Sequence, residues 1–267
     1  MLWNAKNGSV TLGNTEMSYV SFGQGERAFV ILPGLSDGLL TVRGKALMLA
    51  KPYQAFFDKF TVYMFSRKDQ MPEGYTIRDM AEDQAKALET LGILEADVMG
   101  VSQGGMIAQY LAIDHPELVR KLVLAVTAPR ANDIIKESVT YWIELAHKGD
   151  HKALMIDTAE KTYSEGYLKK LRPAYPLLFR KSKRDMSRFI IQAKACAGHD
   201  AVSELSKITA PTLIIGGGED RIVGPGAAKT LAESISGARL YEYPALGHGL
   251  FDEAKDFYRQ AESFLEE

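Results

Sequence analysis

Short apolar runs alternate with helix-like stretches through most of these 267 residues, and few architectures accommodate that alternation. "AFVILPG" (28–34), "FTVYMFS" (60–66), "ADVMGVS" (96–102), "KLVLAVT" (121–127), "PTLIIGGG" (211–218) and "ARLYEYP" (238–244) read as strands. Between them lie helical patterns such as "TIRDMAEDQAKALETLG", where Ile77, Met80, Ala81, Gln84, Leu88 and Leu91 fall near one face. Strands that are apolar on both sides need helices over each face of a parallel sheet. The expectation is an α/β fold built on a mostly parallel, doubly covered sheet. "GSVTLG" (8–13) and "MSYVSFGQG" (17–25), joined by the turn "GNTE", read as an antiparallel hairpin at the edge of that sheet.

The alternation breaks between Arg130 and Leu205, where helical patterns continue without a good strand. "ESVTYWIELAHKG" and "KRDMSRFIIQAKACAG" are amphipathic and end at glycine. This block interrupts the strand order, so residues 130–205 are expected to form a helical cap inserted into a core made of 1–129 and 206–267. A chain of this length fits one large core with such an insertion.

Hydrophobic residues make up 46% and charged residues 25% of the chain, which argues against disorder and fibrous folds. A formal charge of −2 leaves no electrostatic surplus to draw nucleic acid or an anionic membrane as a partner. The single cysteine, Cys196, rules out an internal disulfide and a multi-cysteine metal site; it reads as a buried spectator thiol. "MLWNAKNGSV" is not a secretory leader, and no run of about 18 apolar residues spans a membrane. A cytoplasmic location is the expectation, and a homo-oligomer stays open.

Gly100-Val101-Ser102-Gln103-Gly104 matches G-x-S-x-G, which sets a serine on a sharp strand-to-helix turn. Glycines belong there because the backbone on either side of the serine closes up and leaves no space for side chains. Roughly one chain in ten of such composition contains the pattern by chance, so its context matters. "ADVM" supplies the preceding strand, and "QGGMIAQYLAIDHPELV" a helix with Met106, Ile107, Tyr110 and Leu111 on its buried face. A helix that starts just after Ser102 aims free N–H groups and its positive dipole end at the place where an oxyanion would form. The competing reading is a serine in a tight strand-to-helix turn.

A serine hydroxyl needs a base, and the base works best when a carboxylate orients it. "TLIIGGGEDRIVGP" places Asp220 in a glycine-rich loop at the C-terminal end of a strand, where open α/β sheets gather their sites. Glu219 is its neighbour and competitor, and a solvated loop carboxylate is the plainer fate of an aspartate. "YEYPALGHGLF" places His248 between glycines after the last strand. Among the other histidines, His115 lies at a helix end, His147 and His151 lie in the cap, and His199 lies near the cap's end. His147 and His151 are four apart but lack an evident third ligand, so no metal is expected.

"GVSQGG", "GGGEDRIV" and "ALGHGLF", with "YTIRDMAEDQAKALETLGI" and "AIDHPELVRKLVLAVTAP", closely resemble the α/β-hydrolase superfamily, in particular its capped esterase, enol-lactonase and peroxidase-like branch. The likeness covers nearly the whole chain outside the cap. It implies that Ser102 is the nucleophile, Asp220 the acid and His248 the base of a catalytic triad. Asp133 occupies a second acid position known in the family, in the less motif-like "APRAND". The family's oxyanion loop corresponds to "LPGLSDG", so the backbone N–H groups of Leu35 and Gln103 would form the oxyanion hole. Pro33 replaces the family's usual histidine, which removes a side chain that often orders this loop. The loop "RKDQMPEGYT" also departs from the family pattern, so substrate preference does not transfer. Serine at position 102 argues against the aspartate chemistry of haloalkane dehalogenases and epoxide hydrolases.

The resemblance implies a serine hydrolase that cleaves a small carboxylic ester or lactone through an acyl-enzyme, with a small-molecule acyl substrate and no cofactor. An acyltransferase using the same triad and a non-catalytic ligand receptor on the same fold are the alternatives. "GGGED" lacks the spacing of a dinucleotide site, and no Gly-Lys-Ser/Thr loop is present. Cap aromatics Tyr141, Trp142, Tyr163, Tyr167, Phe179 and Phe189 offer an apolar pocket roof. The basic run "RKSKRDMSR" (180–188) reads first as a solvated helix face and second as an attractor of an acidic substrate or partner.

Overall fold

In the computed structural model, which describes residues 2–179 and 185–267, the eight strand-like runs form one sheet. The strands are β1 (Lys6–Leu12), β2 (Thr15–Gly23), β3 (Arg27–Leu32), β4 (Phe60–Phe65), β5 (Ala96–Val101), β6 (Val119–Ala125), β7 (Thr212–Gly217) and β8 (Arg239–Tyr243). Their order is β1-β2-β4-β3-β5-β6-β7-β8. β2 pairs antiparallel with both β1 and β4, and every later pair is parallel. The hairpin therefore contributes one edge strand, β1, and one strand that lies inside the sheet.

The helices are α1 (Ala46–Ala50), α2 (Ile77–Thr90), α3 (Gln103–Asp114), α4 (Asp133–His147), α5 (His151–Thr162), α6 (Glu165–Leu171), α7 (Tyr175–Leu178), α8 (Ser187–Ala197), α9 (Ala227–Ser234), α10 (Leu250–Glu253) and α11 (Phe257–Glu266). Alternate residues of the central strands feed two separate cores. Val30 and Leu32 of β3, with Val98, Leu122 and Leu124, pack on the side covered by α2, α3 and α9. Phe29 and Ile31, with Met99, Val123 and Ala125, pack on the side covered by α1 and α11. A period of two with both faces apolar is what a doubly covered sheet requires. The Phe29 ring lies 4.9 Å from that of Phe56 and 5.7 Å from that of Phe60; each such buried side chain contributes about 1.5–3 kcal/mol.

Local signals set the helix that leads to β5. Thr76 caps α2, its hydroxyl accepting the Asp79 N–H while the Asp79 carboxylate accepts the Thr76 N–H. Ile77, Met80, Ala81, Gln84 and Leu88 are buried, as the spacing predicts. α3 differs from expectation. Its residues Gln103–Ile113 are buried on every side, not along one face. The reason is that α2, the sheet and the block after β6 together enclose it: the Gln103 amide donates to the Gln192 carbonyl at 3.0 Å and the Tyr110 hydroxyl to the Asp200 carbonyl at 2.7 Å.

Helices α4 to α8 all fall between β6 and β7. The two ends of this block meet in a short antiparallel bridge, Arg130 to Asp200, with the Ala131 N–H donating to the His199 carbonyl at 2.7 Å and the Ala201 N–H to the Pro129 carbonyl at 2.9 Å. That neck brings the chain back beside the point where it left the sheet. Among the described residues, no helix is long and apolar enough to cross a membrane.

The junction of β5 and α3 depends on glycine. A Cβ on Gly104 would lie 1.8 Å from the Leu32 carbonyl oxygen, and one on Gly100 would lie 2.4 Å from the Gly104 carbonyl oxygen. Alanine normally favours a helix over glycine by about 1 kcal/mol. At Gly104 the steric term outweighs it, and Gly104→Ala is expected to lower stability by about 2 kcal/mol or more. A denaturant midpoint equal to wild type would show that the junction is looser than this packing.

Candidate active site

Ser102 joins β5 to α3 with φ +56° and ψ −120°, a backbone conformation that a residue with a Cβ adopts at a cost of about 1–3 kcal/mol. Several bonds hold it there. Its N–H donates to the Ala125 carbonyl at 2.9 Å, and its carbonyl accepts the Thr127 hydroxyl at 2.7 Å and the Gly105 N–H at 2.9 Å. The neighbouring strand ends in a second left-handed residue, Val126, at φ +44°.

Asp220 lies in the turn after β7, 2% exposed. One oxygen, Oδ1, accepts the N–H groups of Ile222 at 2.8 Å and Val223 at 2.9 Å. The other, Oδ2, is 2.8 Å from His248 Nδ1. Burial opposes the Asp220 charge, but the facing His248 ring and the two backbone N–H groups outweigh it and hold the carboxyl below its ordinary range. An ionised acceptor at Oδ2 requires the proton on Nδ1 and leaves the Nε2 lone pair free. Nε2 is 2.9 Å from Ser102 Oγ. The three side chains come from loops after β5, β7 and β8, so they meet only when the sheet order is complete.

The competing residues lie elsewhere. Glu219 and Asp133 are exposed, as is His147. His115 bonds Glu82 at 2.8 Å, and His199 is buried edge-on against Tyr110.

Leu35 opens a short 3₁₀ turn, Leu35–Gly38, and lines the same cavity as Ser102. Gln103 is the first residue of α3 and lines it too. The preceding Gly34 lets this loop approach the serine: a Cβ there would sit 3.3 Å from Ser102 Cβ. Pro33 leaves the loop without the family's usual histidine, but a group absent from the sequence reading orders it. Asp37, 2% exposed, accepts at Oδ2 from the Arg67 N–H at 3.0 Å, Arg188 Nη2 at 2.6 Å and Gln192 Nε2 at 3.4 Å. Arg188 also donates to the Asp37 carbonyl and, at 2.7 Å, to the Arg67 carbonyl. Arg67 Nη2 reaches the Pro33 carbonyl at 2.5 Å. Burial pushes the Arg67 guanidinium down to about 10, with Asp37 opposing the shift and Arg188 adding to it, so it stays charged at neutral pH.

Arg188 corrects the reading of the basic run as a solvated face. Residues 180–184 lie outside the described residues, and Arg188 turns inward from the first turn of α8 onto a buried carboxylate. The sequence signal was slight: an aspartate inside the apolar loop "LPGLSDG" and an arginine directly after the β4 run.

A cavity of about 490 Å³ opens at Ser102 and His248. Of the aromatics expected as a roof, Trp142, Tyr163, Phe179 and Phe189 line it; Tyr141 is exposed and Tyr167 stacks on Tyr163 at 4.4 Å. Cys196 also lines it, buried, with the Gln103 amide donating to Sγ at 3.1 Å. Burial pushes that thiol up to about 11, which keeps it protonated and unreactive at neutral pH. The helical block is tied to the histidine loop: the Gly249 N–H donates to the Thr162 carbonyl at 2.7 Å, the Tyr163 hydroxyl to Asp252 at 2.8 Å and the Ser164 N–H to Glu253 at 3.0 Å.

Residues 63–255 match the family described as alpha/beta hydrolase fold. The chain is 30% identical over 199 residues to a 2-hydroxymuconate semialdehyde hydrolase of Pseudomonas putida, covering 72% of this chain and 70% of that protein. It is 24% identical over 238 residues to 3-oxoadipate enol-lactonase 2 of Acinetobacter baylyi, covering 85% and 84%. Among solved structures, an alpha/beta hydrolase from a Medee basin deep-sea metagenome library superposes with a TM-score of 0.85 at 24% identity, covering 97% of this chain and 98% of that one. The enol-lactonase from Burkholderia xenovorans superposes with a TM-score of 0.81 at 22% identity, covering 97% and 100%. The chain belongs to the alpha/beta hydrolase fold family.

Proposed function

We propose that this protein is a serine hydrolase that cleaves a small carboxylic ester or lactone by two-step acyl transfer, with residues 130–205 acting as a cap over a core of 1–129 and 206–267. The observation that carries the reading is the unbroken chain from Ser102 Oγ to His248 Nε2 at 2.9 Å and from His248 Nδ1 to Asp220 at 2.8 Å. His248 takes the Ser102 proton as Oγ attacks the acyl carbon. The N–H groups of Leu35 and Gln103 receive the oxyanion, helped by the positive end of α3. Collapse breaks the ester C–O bond, and His248 returns the proton to the leaving oxygen. Water, deprotonated by the same imidazole, then attacks the acyl-enzyme and frees Ser102. Asp220 keeps its charge throughout and steadies the imidazolium. Relatives named as an enol-lactonase and a semialdehyde hydrolase support hydrolysis as the reaction class.

The first test is a fluorophosphonate probe with intact mass and peptide mapping. Wild type is expected to take up one label at Ser102, and Ser102→Ala and His248→Ala none; a folded wild type that stays unlabelled would contradict the mechanism and favour a ligand receptor. Added alcohol or amine that diverts the acyl group into a new ester or amide at the expense of hydrolysis would mark a transferase.

Asp220→Asn removes the acceptor that selects the Nδ1–H tautomer, so kcat should fall about 10⁴-fold while the fold survives. Near-normal turnover by that variant would remove Asp220 from the mechanism.

Arg188→Ala takes away the cap's hold on the Asp37 carbonyl and leaves the carboxylate only the Gln192 amide from the cap, at 3.4 Å. Loss of one well-placed oxyanion donor costs about 10²–10³-fold in turnover, and a loosened loop is expected to cost about tenfold to a hundredfold in kcat with KM nearly unchanged. Arg188→Lys keeps the charge and one donor and should recover part of that loss. An equal change in kcat and KM, or no change in either, would separate the loop from the reaction.

A further inference from the structure

Among the described residues, no Asp, Glu, Lys or Arg side chain lines the cavity at Ser102. Its walls are built from both sides of the sheet. Ile31, Met64, Met99, Tyr53 and Phe257 belong to the core under α1 and α11. Ile135, Val139, Trp142, Leu154 and Ile222 belong to the opposite core, which continues into α4, α5 and α8. Ser102 and His248 line the same cavity as both groups, so apolar wall from each core reaches the space around the reacting bond. Among the described residues, Arg188 and Arg67 are already committed to other partners and do not line the wall. Arg188 bonds the Asp37 carboxylate and the carbonyls of Asp37 and Arg67, while Arg67 is 1% exposed and reaches the Pro33 carbonyl.

A carboxylate or ammonium carried into such walls loses its water and gains no counter-ion, a penalty that an equally long neutral group escapes. The same wall rewards apolar atoms. Methionine and aromatic side chains supply polarisable, adaptable contact on each side. Resting on the hydrolase reading above, we infer that the substrate is an ester whose acyl group and leaving group are both uncharged and apolar where the cavity encloses them. Selection against charge then comes from the walls and operates on each side of the bond separately.

The test uses two matched pairs of esters. Para-nitrophenyl hexanoate is compared with the mono-para-nitrophenyl ester of adipic acid, which puts a carboxylate at the end of the same acyl chain. The hexanoate ester of methyl para-hydroxybenzoate is compared with para-carboxyphenyl hexanoate, which puts it on the leaving group. Each rate is divided by that for hydroxide hydrolysis. The charged member of each pair is expected to show kcat/KM lower by about 100-fold. A deficit below tenfold on either side overturns the inference for that side, and if that turnover vanishes in Ser102→Ala the hydrolase reading stands without it. Neutral esters left intact by a wild type that also resists the fluorophosphonate overturn the hydrolase reading and this inference together.

Discussion

The left-handed backbone of Ser102 is the constraint on which the rest of the site depends. At φ +56° the serine projects from the junction of β5 and α3 and not along either element, which leaves its hydroxyl within reach of loops from two other strands. That conformation is unfavourable alone, and neighbours hold it: the Ala125 carbonyl on the adjacent strand, the Thr127 hydroxyl, and the tight contact of Gly104 with the end of β3. Strain in the elbow is therefore offset by the burial of β3, β5, β6 and α3, whose packing gains nothing from catalysis. A change in the packing of any of those strands moves Ser102.

Two buried carboxylates then finish the site in opposite ways. Asp220 spends its hydrogen bonds on two backbone N–H groups and one imidazole, so its charge faces the ring that the proposed mechanism makes cationic. Asp37 pairs with the Arg188 guanidinium, accepts the Arg67 backbone N–H, and serves as an anchor for the loop that carries Leu35. Because α8 supplies Arg188, and the α5–α6 junction bonds the loop after His248, the helical block grips both the proposed oxyanion loop and the base loop. Displacement of that block would disturb both at once. The block thus contributes to the geometry of the chemistry as well as to the walls around it.

Local pattern explains why some of this is legible in sequence and some is not. The strands, the hairpin, Ser102, Asp220 and His248 are each marked by a short stretch whose own residues demand the conformation: a glycine-flanked serine between a strand and a helix, or an acid and a histidine in loops at strand ends. The Asp37–Arg188 bond joins residues 151 apart, and nothing in a basic run says which arginine turns inward. Pro33 illustrates the same limit. Loss of a familiar side chain suggests a loosened loop, yet the ordering role has passed to Asp37, three residues from Gly34 in sequence and bound to partners from β4's end and α8. Burial of α3 on every side is likewise a tertiary fact, since Gln103 and Tyr110 find their partners only after the helical block has folded back.

Division of labour between strand ends and walls also limits what the family likeness conveys. Ser102, Asp220 and His248, which would form and break bonds, sit at the ends of strands of the shared sheet, within the family match over residues 63–255. The groups that would choose the substrate come from α4, α5, α8 and the turn before β4, and their chemistry is a property of this chain's own side chains. On the proposed reading, a single arginine or lysine among Leu154, Met155, Thr158 and Leu171 would give the wall a counter-ion for a charged substrate without replacing Ser102, Asp220 or His248. Relatives with the same fold and motifs are therefore free to act on differently charged substrates.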